Sequence, residues 1–258
     1  MTIDRSLDHA TKASSPARAH PRPARPRLLL SVAALVASTL IALNGTPAHA
    51  QVSDPLESVN RVIFSFNDKA DTYVLRPVAQ TYVNVVPQLV RVGVSNVFGN
   101  IGDMFSAVNS LLQGKNEKLG NDLGRVLVNS TFGLGGIFDV AGYAGVEKGN
   151  EDFGQTFGYW GIPSGPYLVI PFLGPSNIRD ATGLVIQSYI DPVSDVTPDL
   201  ARYELLGLRV IDARAGLLGT EDLVAGAALD RYTFIRSAYS QRRRSLIFDG
   251  KPPKNDDD

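Results

Sequence analysis

The chain has 258 residues, of which 44% are hydrophobic and 20% are charged, an ordinary balance for a folded protein. All three histidines (His9, His20 and His49) lie in the first fifty residues, and the chain has no cysteine. Residues 51–258 therefore lack both histidine and cysteine. They cannot form a Ser-His-Asp triad, a Cys-His pair or any zinc site that needs those ligands. Residues 51–258 carry 19 basic and 24 acidic residues, and this net charge of −5 argues against a nucleic-acid-binding protein.

The first fifty residues have the pattern of an export signal. Six basic and only two acidic residues precede an uncharged run from Leu28 to Leu43, and Ala48-His49-Ala50 follows. A membrane span needs about 20 apolar residues, so this run is short for one. We therefore predict a cleaved signal peptide over residues 1–50. The alternative is an uncleaved N-terminal anchor.

The next segment predicts a capped helix. Asp54 precedes Pro55, which suits the first helical position, and Glu57 is spaced to bond back to the cap. This helix should run from about Pro55 to Ala70. One face carries Val59, Ile63 and Phe66 and another carries Asn60 and Asn67, for which a solvated face is the simplest interpretation.

Two further helices are predicted before residue 115. The first covers about residues 71–86 and is interrupted at Pro77. The second begins at Pro87, ends near Gly114 and has apolar residues at steps of three or four. Its polar stripe contains few charges, unlike most water-facing helices, and comprises Asn96, Asn100 and Asp103.

Residues 125–142 are apolar and rich in glycine, after a polar segment at 115–124. Small residues at this density let backbones approach closely, as in many membrane helices. A buried helix broken by Gly133, Gly135 and Gly136 is the alternative that composition favours.

Residues 154–178 form an uncharged segment that contains four prolines and five glycines. These residues exclude a simple spanning helix. The segment is either an apolar loop folded over the core or a loop that contacts a membrane, because Trp and Tyr suit the headgroup level. Its candidate membrane-contacting residues are Tyr159, Trp160, Tyr167 and Phe172.

Two capped helices are predicted near the end of the chain. Thr197-Pro198 opens one that runs to about Leu218, and Thr220 caps the next, which ends in Gln241-Arg242-Arg243-Arg244. These cations either stabilise the helix C-terminus or bind lipid phosphate or an acidic partner. Residues 250–258 are predicted to be a disordered acidic tail. The side chains predicted to face inward on the first helix are Leu200, Tyr203, Leu206, Val210 and Leu217, and those on the second helix's apolar face are Leu223, Ala227, Tyr232, Ile235 and Tyr239.

Several motifs in the same order resemble the MlaA family, also called VacJ, of bacterial outer-membrane lipoproteins. The resemblance covers about residues 51–245. The matching motifs are Asp54-Pro55-Leu56-Glu57, Asn60-Arg61, Phe64-Ser65-Phe66-Asn67, Arg76-Pro77-Val78, Asn129-Ser130-Thr131, Gly135-Gly136, Asp139-Val140-Ala141, Glu151-Asp152-Phe153-Gly154-Gln155-Thr156, Trp160-Gly161, Gly165-Pro166-Tyr167, Gly174-Pro175-Ser176 and Arg179-Asp180.

The resemblance implies an all-α fold over residues 51–249, a ring-like bundle of amphipathic helices around a central channel. It implies a protein in the inner leaflet of the outer membrane that removes misplaced phospholipid from the outer leaflet. The lipid would pass to a soluble periplasmic carrier, and family members associate with trimeric porins. It implies no cofactor. The candidate lipid-path residues are Asn60, Phe66, Asn67, Asn96, Asn100 and Asp103.

The position after the predicted cleavage site departs from the family pattern. Family members usually have a lipobox cysteine there, whereas this chain has Gln51. We therefore expect a protein at the periplasmic face of the outer membrane that is not lipid-anchored. Apolar helix surface or porin binding would have to offset the roughly 0.8 kcal/mol per buried CH₂ that an acyl chain contributes.

Two other functions remain open at this point. A periplasmic hydrolase would use paired carboxylates, for which Glu151-Asp152 and Arg179-Asp180 are the candidates. A structural scaffold at the outer membrane would bind no lipid. The sequence favours lipid transport over both and predicts that the protein is not an enzyme.

Overall fold

Helices joined by short turns make up most of the part of the chain that a computed structural model describes, residues 54–219 and 230–253. The predicted signal peptide, Gln51, the predicted cap Thr220 with Leu223 and Ala227, and residues 254–258 lie outside the described residues. The α-helices are α1 (Glu57–Ala70), α2 (Arg76–Val85), α3 (Gln88–Leu112), α4 (Asn116–Thr131), α5 (Val140–Tyr143), α6 (Phe153–Tyr159), α7 (Ile178–Ile190), α8 (Asp199–Ala215) and α9 (Arg231–Ile247). The two strands are β1 (Tyr167–Ile170) and β2 (Gly174–Asn177).

The predicted capping box of the first helix is wrong. The helix begins at Glu57, and no side chain caps it. The Asp54 carboxylate accepts hydrogen bonds from Asn60 Nδ2 at 2.8 Å and from the Tyr232 hydroxyl. Arg236 lies 3.1 Å from the same carboxylate. Asp54 therefore ties α1 to the distant helix α9 instead of capping its own helix.

The predicted interruption near Pro77 is a widened helical turn just before the proline. Residues Asp71–Leu75 form a π-helix that continues directly from α1 into α2. Proline has no N–H, and its ring clashes with the carbonyl four residues earlier in a regular helix. The π-helix is rare and occurs mostly as single turns of this kind inside longer helices.

Among the described residues, α3 and α4 form the most extensive contact between two helices. The helix α3 covers 25 residues, close to the predicted bounds. The helix α4 begins at Asn116, within the segment described above only as polar, and it ends at Thr131. The glycine-rich residues 133–136 therefore form turns, where Gly135 and Gly136 have φ of 73° and 96°.

The uncharged segment 154–178 contains most of α6 and a β-hairpin. Strands β1 and β2 are antiparallel, with Tyr167 opposite Asn177 and Ile170 opposite Gly174. The small apolar core lies against this hairpin, where Tyr167 and Val169 pack with Tyr232 of α9. The fold is thus mostly helical, with one hairpin that sequence periodicity did not predict.

The last two helices correct two predictions. The five side chains predicted to face inward, four on α8 and Leu217 just after its end, are exposed. The helix α9 is capped by Asp230, whose carboxylate accepts from the backbone N–H groups of Tyr232 and Thr233, and it continues past Arg244 to Ile247. The apolar stripe of α8 therefore lies on the outer surface of the molecule.

Candidate functional site

Asn60 and Asn67 fasten the hairpin to α1. The side chain of Asn60 donates to Tyr167 O at 3.0 Å and accepts from Val169 N at 2.9 Å. Asn67 repeats this arrangement two turns later, at Ile170 O (3.0 Å) and Phe172 N (2.8 Å). Asn60 is buried and Asn67 half-buried, so neither lies on a solvated face. Their amides satisfy strand-edge backbone groups that would otherwise lack partners.

The predicted polar stripe of α3 faces other parts of the protein. Asn96 donates to Ile137 O at 2.9 Å, and Asn100 donates to the Ser130 hydroxyl at 3.0 Å. Asp103 is fully buried. Its lipid-path role, like that of Asn100, remains a prediction that its position does not favour, because a lipid would have to reach a buried side chain.

Asp103 belongs to a buried ion-pair network that sequence reasoning missed. Arg125 Nε donates to Asp103 Oδ2 at 2.9 Å, and its Nη2 donates to Asp139 Oδ1 at 2.9 Å. Lys148 Nζ lies 2.6 Å from the other oxygen of Asp103. Buried charges persist in a protein only when they are paired in this way.

A second buried carboxylate lies further along the same contact between helices. Asp122 is fully buried and accepts hydrogen bonds from the hydroxyls of Ser106 (2.7 Å) and Ser110 (3.1 Å) and from Gly149 N (3.0 Å). Burial raises the pKa of Asp122 above its ordinary value, although these hydrogen bonds oppose the rise. The α3–α4 contact is therefore largely polar, contrary to the usual apolar core.

The carboxylates considered for a hydrolase are held in ion pairs. Arg243 contacts Asp152 with two nitrogens at 2.6 and 2.8 Å, and its Nε lies 2.8 Å from Asp180. Burial alone would raise the pKa of Asp152, but the Arg243 guanidinium holds it below its ordinary value. Glu151 is bound by Lys118 at 2.6 Å and by Lys115 at 3.1 Å. Among the described residues, no group of side chains could hold a metal ion.

The predicted membrane-contacting residues divide into exposed and buried ones. Tyr159, Trp160 and Phe172 are exposed, and the Phe172 ring packs edge-on against Phe66 at 5.2 Å between centroids. Tyr167 is 1% exposed and lies in the core, so the prediction that it contacts a membrane is wrong. Phe172 has a φ of 63°, a left-handed conformation that holds an exposed apolar ring at the tip of the hairpin.

The outer surface is unusually apolar. Large hydrophobic side chains are exposed on every long helix from α1 to α8. Soluble monomers rarely expose contiguous apolar patches of more than a few hundred Å². No helix among the described residues is long and apolar enough to cross a bilayer. The most exposed of these side chains are Leu89, Tyr143, Tyr73, Phe132, Val85, Val62, Leu200 and Leu134.

An apolar groove with a volume of about 810 Å³ lies between α3 and α8. We call it the α3–α8 groove. Asn96 contributes the one amide side chain on its wall. Its lining residues are Leu89, Val90, Val92, Gly93, Val94, Asn96, Val97, Phe98, Ile101, Ile137, Phe138, Tyr143, Pro192, Val193, Val196, Leu205 and Leu208.

Residues 52–246 match the model of the family described as MlaA lipoprotein. The chain belongs to the MlaA family. This membership confirms the resemblance that the separate sequence motifs indicated, and the match runs from before α1 to the last turn of α9.

MlaA relatives match over most of their length. The Escherichia coli K12 protein named intermembrane phospholipid transport system lipoprotein MlaA is 35% identical over 239 residues, covering 89% of this chain and 93% of that protein. The Haemophilus influenzae protein of the same name is 31% identical, covering 81% and 84%. An uncharacterised Rickettsia bellii protein is 36% identical and covers 80% of each chain.

A solved structure from work on the structural basis for maintenance of bacterial outer membrane lipid asymmetry has the same fold. Its TM-score with this chain is 0.67 at 33% sequence identity, and the match covers 76% of this chain and 99% of that one. The match shows that this chain shares the mostly helical fold of that structure.

Proposed function

We propose that this protein is the outer-membrane component of an intermembrane phospholipid transport system, and that it helps to maintain outer-membrane lipid asymmetry. The proposal is supported by the name of the Escherichia coli relative and by the subject of the structural match. The observation that carries it is the α3–α8 groove, a large apolar cleft that the side chains of the described residues leave unfilled.

The groove suits an acyl chain. Its volume of about 810 Å³ falls within the roughly 300–1,000 Å³ typical of ligand sites. Its walls are aliphatic and aromatic, so an acyl chain meets a similar apolar environment in the groove and in the bilayer. Transfer of the chain between the two therefore changes its free energy little, and lipid can both enter and leave.

The surface of the protein suits a position in one leaflet. Exposed apolar side chains surround the described helices, while buried polar groups hold the helices together. In hydrocarbon, hydrogen bonds and close packing associate helices, since apolar burial supplies no driving force there. We propose that the protein lies in the inner leaflet of the outer membrane at its periplasmic face.

We further propose the finer steps of the transport reaction. Misplaced phospholipid leaves the outer leaflet, passes through the protein beside Asn96 and Phe66, and reaches a soluble periplasmic carrier. A trimeric porin is the proposed partner within the membrane. The transport path requires no bond to be made or broken, so the protein acts without a cofactor and is not an enzyme. Asn96 supports this path because it lines the groove.

The test replaces a residue at the mouth of the groove. Val90 lines the groove and is half exposed, so Val90→Trp places an indole where the acyl chain would lie. Leu111→Trp is the matched control, because Leu111 is also exposed on α3 but does not line the groove. Outer-leaflet phosphatidylethanolamine is measured in cells with a membrane-impermeant amine reagent, and lipid bound to the purified protein is measured by mass spectrometry.

We expect Val90→Trp to raise outer-leaflet phosphatidylethanolamine toward the level of a deletion strain and to reduce bound lipid. Leu111→Trp should resemble wild type in both measurements. Equal lipid distributions in the deletion strain and in wild type would contradict the proposed function. A scaffold without lipid transport would give that result.

A further inference from the structure

Arg209 lies at the edge of the α3–α8 groove. On α8 it is four residues after Leu205 and next to Leu208, and both of these leucines line the groove. Its guanidinium carbon lies 5.7 Å from the centroid of the Phe98 ring, which lines the groove from α3. The cation therefore lies against the apolar wall and does not extend into open solvent.

The guanidinium is fixed in place from one side. Its Nη1 donates to Asp191 Oδ2 at 2.5 Å. The other oxygen of Asp191 accepts from Val193 N at 2.9 Å, and Val193 lines the groove. Asp191 is buried, so it holds the arginine in position without being open to a ligand.

The rest of the guanidinium remains available for binding. An arginine side chain has five N–H donors. Across residues 54–219 and 230–253, Asp191 is the one hydrogen-bond partner found for Arg209, and the arginine side chain is 28% exposed. The planar donor pair of a guanidinium matches two oxygens of a phosphate.

We infer that Arg209 binds the phosphate of a phospholipid whose acyl chain lies in the α3–α8 groove. The inference rests on the proposed function, since it places the chain in the groove, and it adds a headgroup site at the rim. A ligand with an anionic phosphate and long apolar chains satisfies both the cation and the cleft. Inorganic phosphate has the anionic group that would bind the cation but lacks the apolar chains that would fill the cleft.

The variant must remove the cation without leaving a buried charge. Arg209→Gln alone would leave Asp191 buried and unpaired, which is destabilising. The double variant Arg209→Gln with Asp191→Asn keeps two hydrogen-bonding side chains and removes both charges. Arg202→Gln is the matched control, because Arg202 also pairs with an aspartate, Asp199 at 3.0 Å, and lies over an aromatic ring, but does not line the groove.

Binding is measured by native mass spectrometry on the purified full chain with three probes. Dioctanoylphosphatidic acid and dioctanoylglycerol share acyl chains and differ only in the phosphate, and inorganic phosphate has no chains. We expect wild type and Arg202→Gln to prefer the phospholipid over dioctanoylglycerol by about tenfold, the effect of roughly one charge-assisted hydrogen bond. The double variant should bind both lipids equally, with unchanged affinity for dioctanoylglycerol.

Three results would overturn the headgroup site. Equal binding of both lipids to wild type would show that Arg209 does not select the phosphate, although the groove would still bind chains. An undiminished preference in the double variant would place the phosphate elsewhere. Arg209-dependent binding of inorganic phosphate with equal strength would identify an anion site unrelated to lipid. If neither lipid binds wild type, the proposed function itself fails.

Discussion

The two halves of α3 have opposite chemistry. Residues 89–101 line the α3–α8 groove mainly with valine, leucine and isoleucine. Residues 103–110 bury an aspartate, two serines and an asparagine against α4 and the segments near it. The second half of this helix therefore holds the fold together through polar groups. The apolar residues of its first half line a groove that the described side chains do not fill. This arrangement suits a protein whose surroundings are as apolar as its own side chains.

The largest expected effect tests whether the polar half holds the fold. Arg125→Met removes the cation between Asp103 and Asp139 and leaves a fully buried carboxylate with only Lys148. Breaking a buried ion pair costs about 3 kcal/mol or more. We therefore expect a marked fall in the unfolding free energy, measured in detergent by denaturant titration.

The matched control for this variant is Arg202→Met. Arg202 pairs with Asp199, which is largely exposed, and exposed pairs contribute about 0–1 kcal/mol. If Arg125→Met and Arg202→Met reduce stability equally, the buried polar contact does not hold α3 to α4.

A smaller effect is expected at the two asparagines that fasten the hairpin. Asn60→Ala leaves a buried N–H and a buried carbonyl of β1 without partners, at a cost of about 2 kcal/mol. Asn67→Ala removes the same pair of contacts near the exposed tip, where water can replace them. Hydrogen exchange at Val169 should accelerate in the first variant and not in the second. Equal protection in both would contradict this difference.

The smallest expected effect concerns Asp122. Unlike the variants above, the variant at this position should gain stability relative to wild type as pH rises. Burial raises the pKa of this carboxyl above 3.8, so the folded protein binds its proton more tightly than the unfolded chain. Ionisation as pH rises through the folded-state pKa therefore lowers stability. Asp122→Asn stays neutral, and its stability relative to wild type should therefore rise from acid to neutral pH.

Denaturant titrations of both proteins at several pH values measure this difference. A variant that is less stable than wild type at neutral pH would show that the hydrogen bonds from Ser106 and Ser110 require a carboxylate.

Sequence periodicity predicted the helices well but not the environment of each face. The stripe of Asn100 and Asp103 looked like the wall of a polar path, yet it forms the contact with α4. The stripe of Leu200 and Val210 looked like a core face, yet it is exposed. An apolar stripe suits a core and a bilayer equally, so its period cannot distinguish the two. Asp54 also pairs with Tyr232 and Asp152 with Arg243, partners more than 90 residues away that local patterns do not report.

The sequence did not predict the hairpin for a related reason. Its strands have four residues each, and β2 contains Pro175, so neither shows a clear alternation. What holds the hairpin is the pair of asparagine side chains on α1, and this long-range contact has no local signal. Both asparagines belong to the family motifs, but the motifs do not say what the two side chains contact.

The central claim is that a phospholipid chain occupies the α3–α8 groove, and cross-linking tests it most directly. A photo-reactive benzoylphenylalanine replaces Val97, which lines the groove, and the detergent-purified protein is irradiated and analysed by mass spectrometry. We predict a glycerophospholipid adduct at position 97 that is strongly reduced when Val90→Trp is added. Absence of any lipid adduct at position 97, or an adduct that Val90→Trp leaves unchanged, would contradict the account.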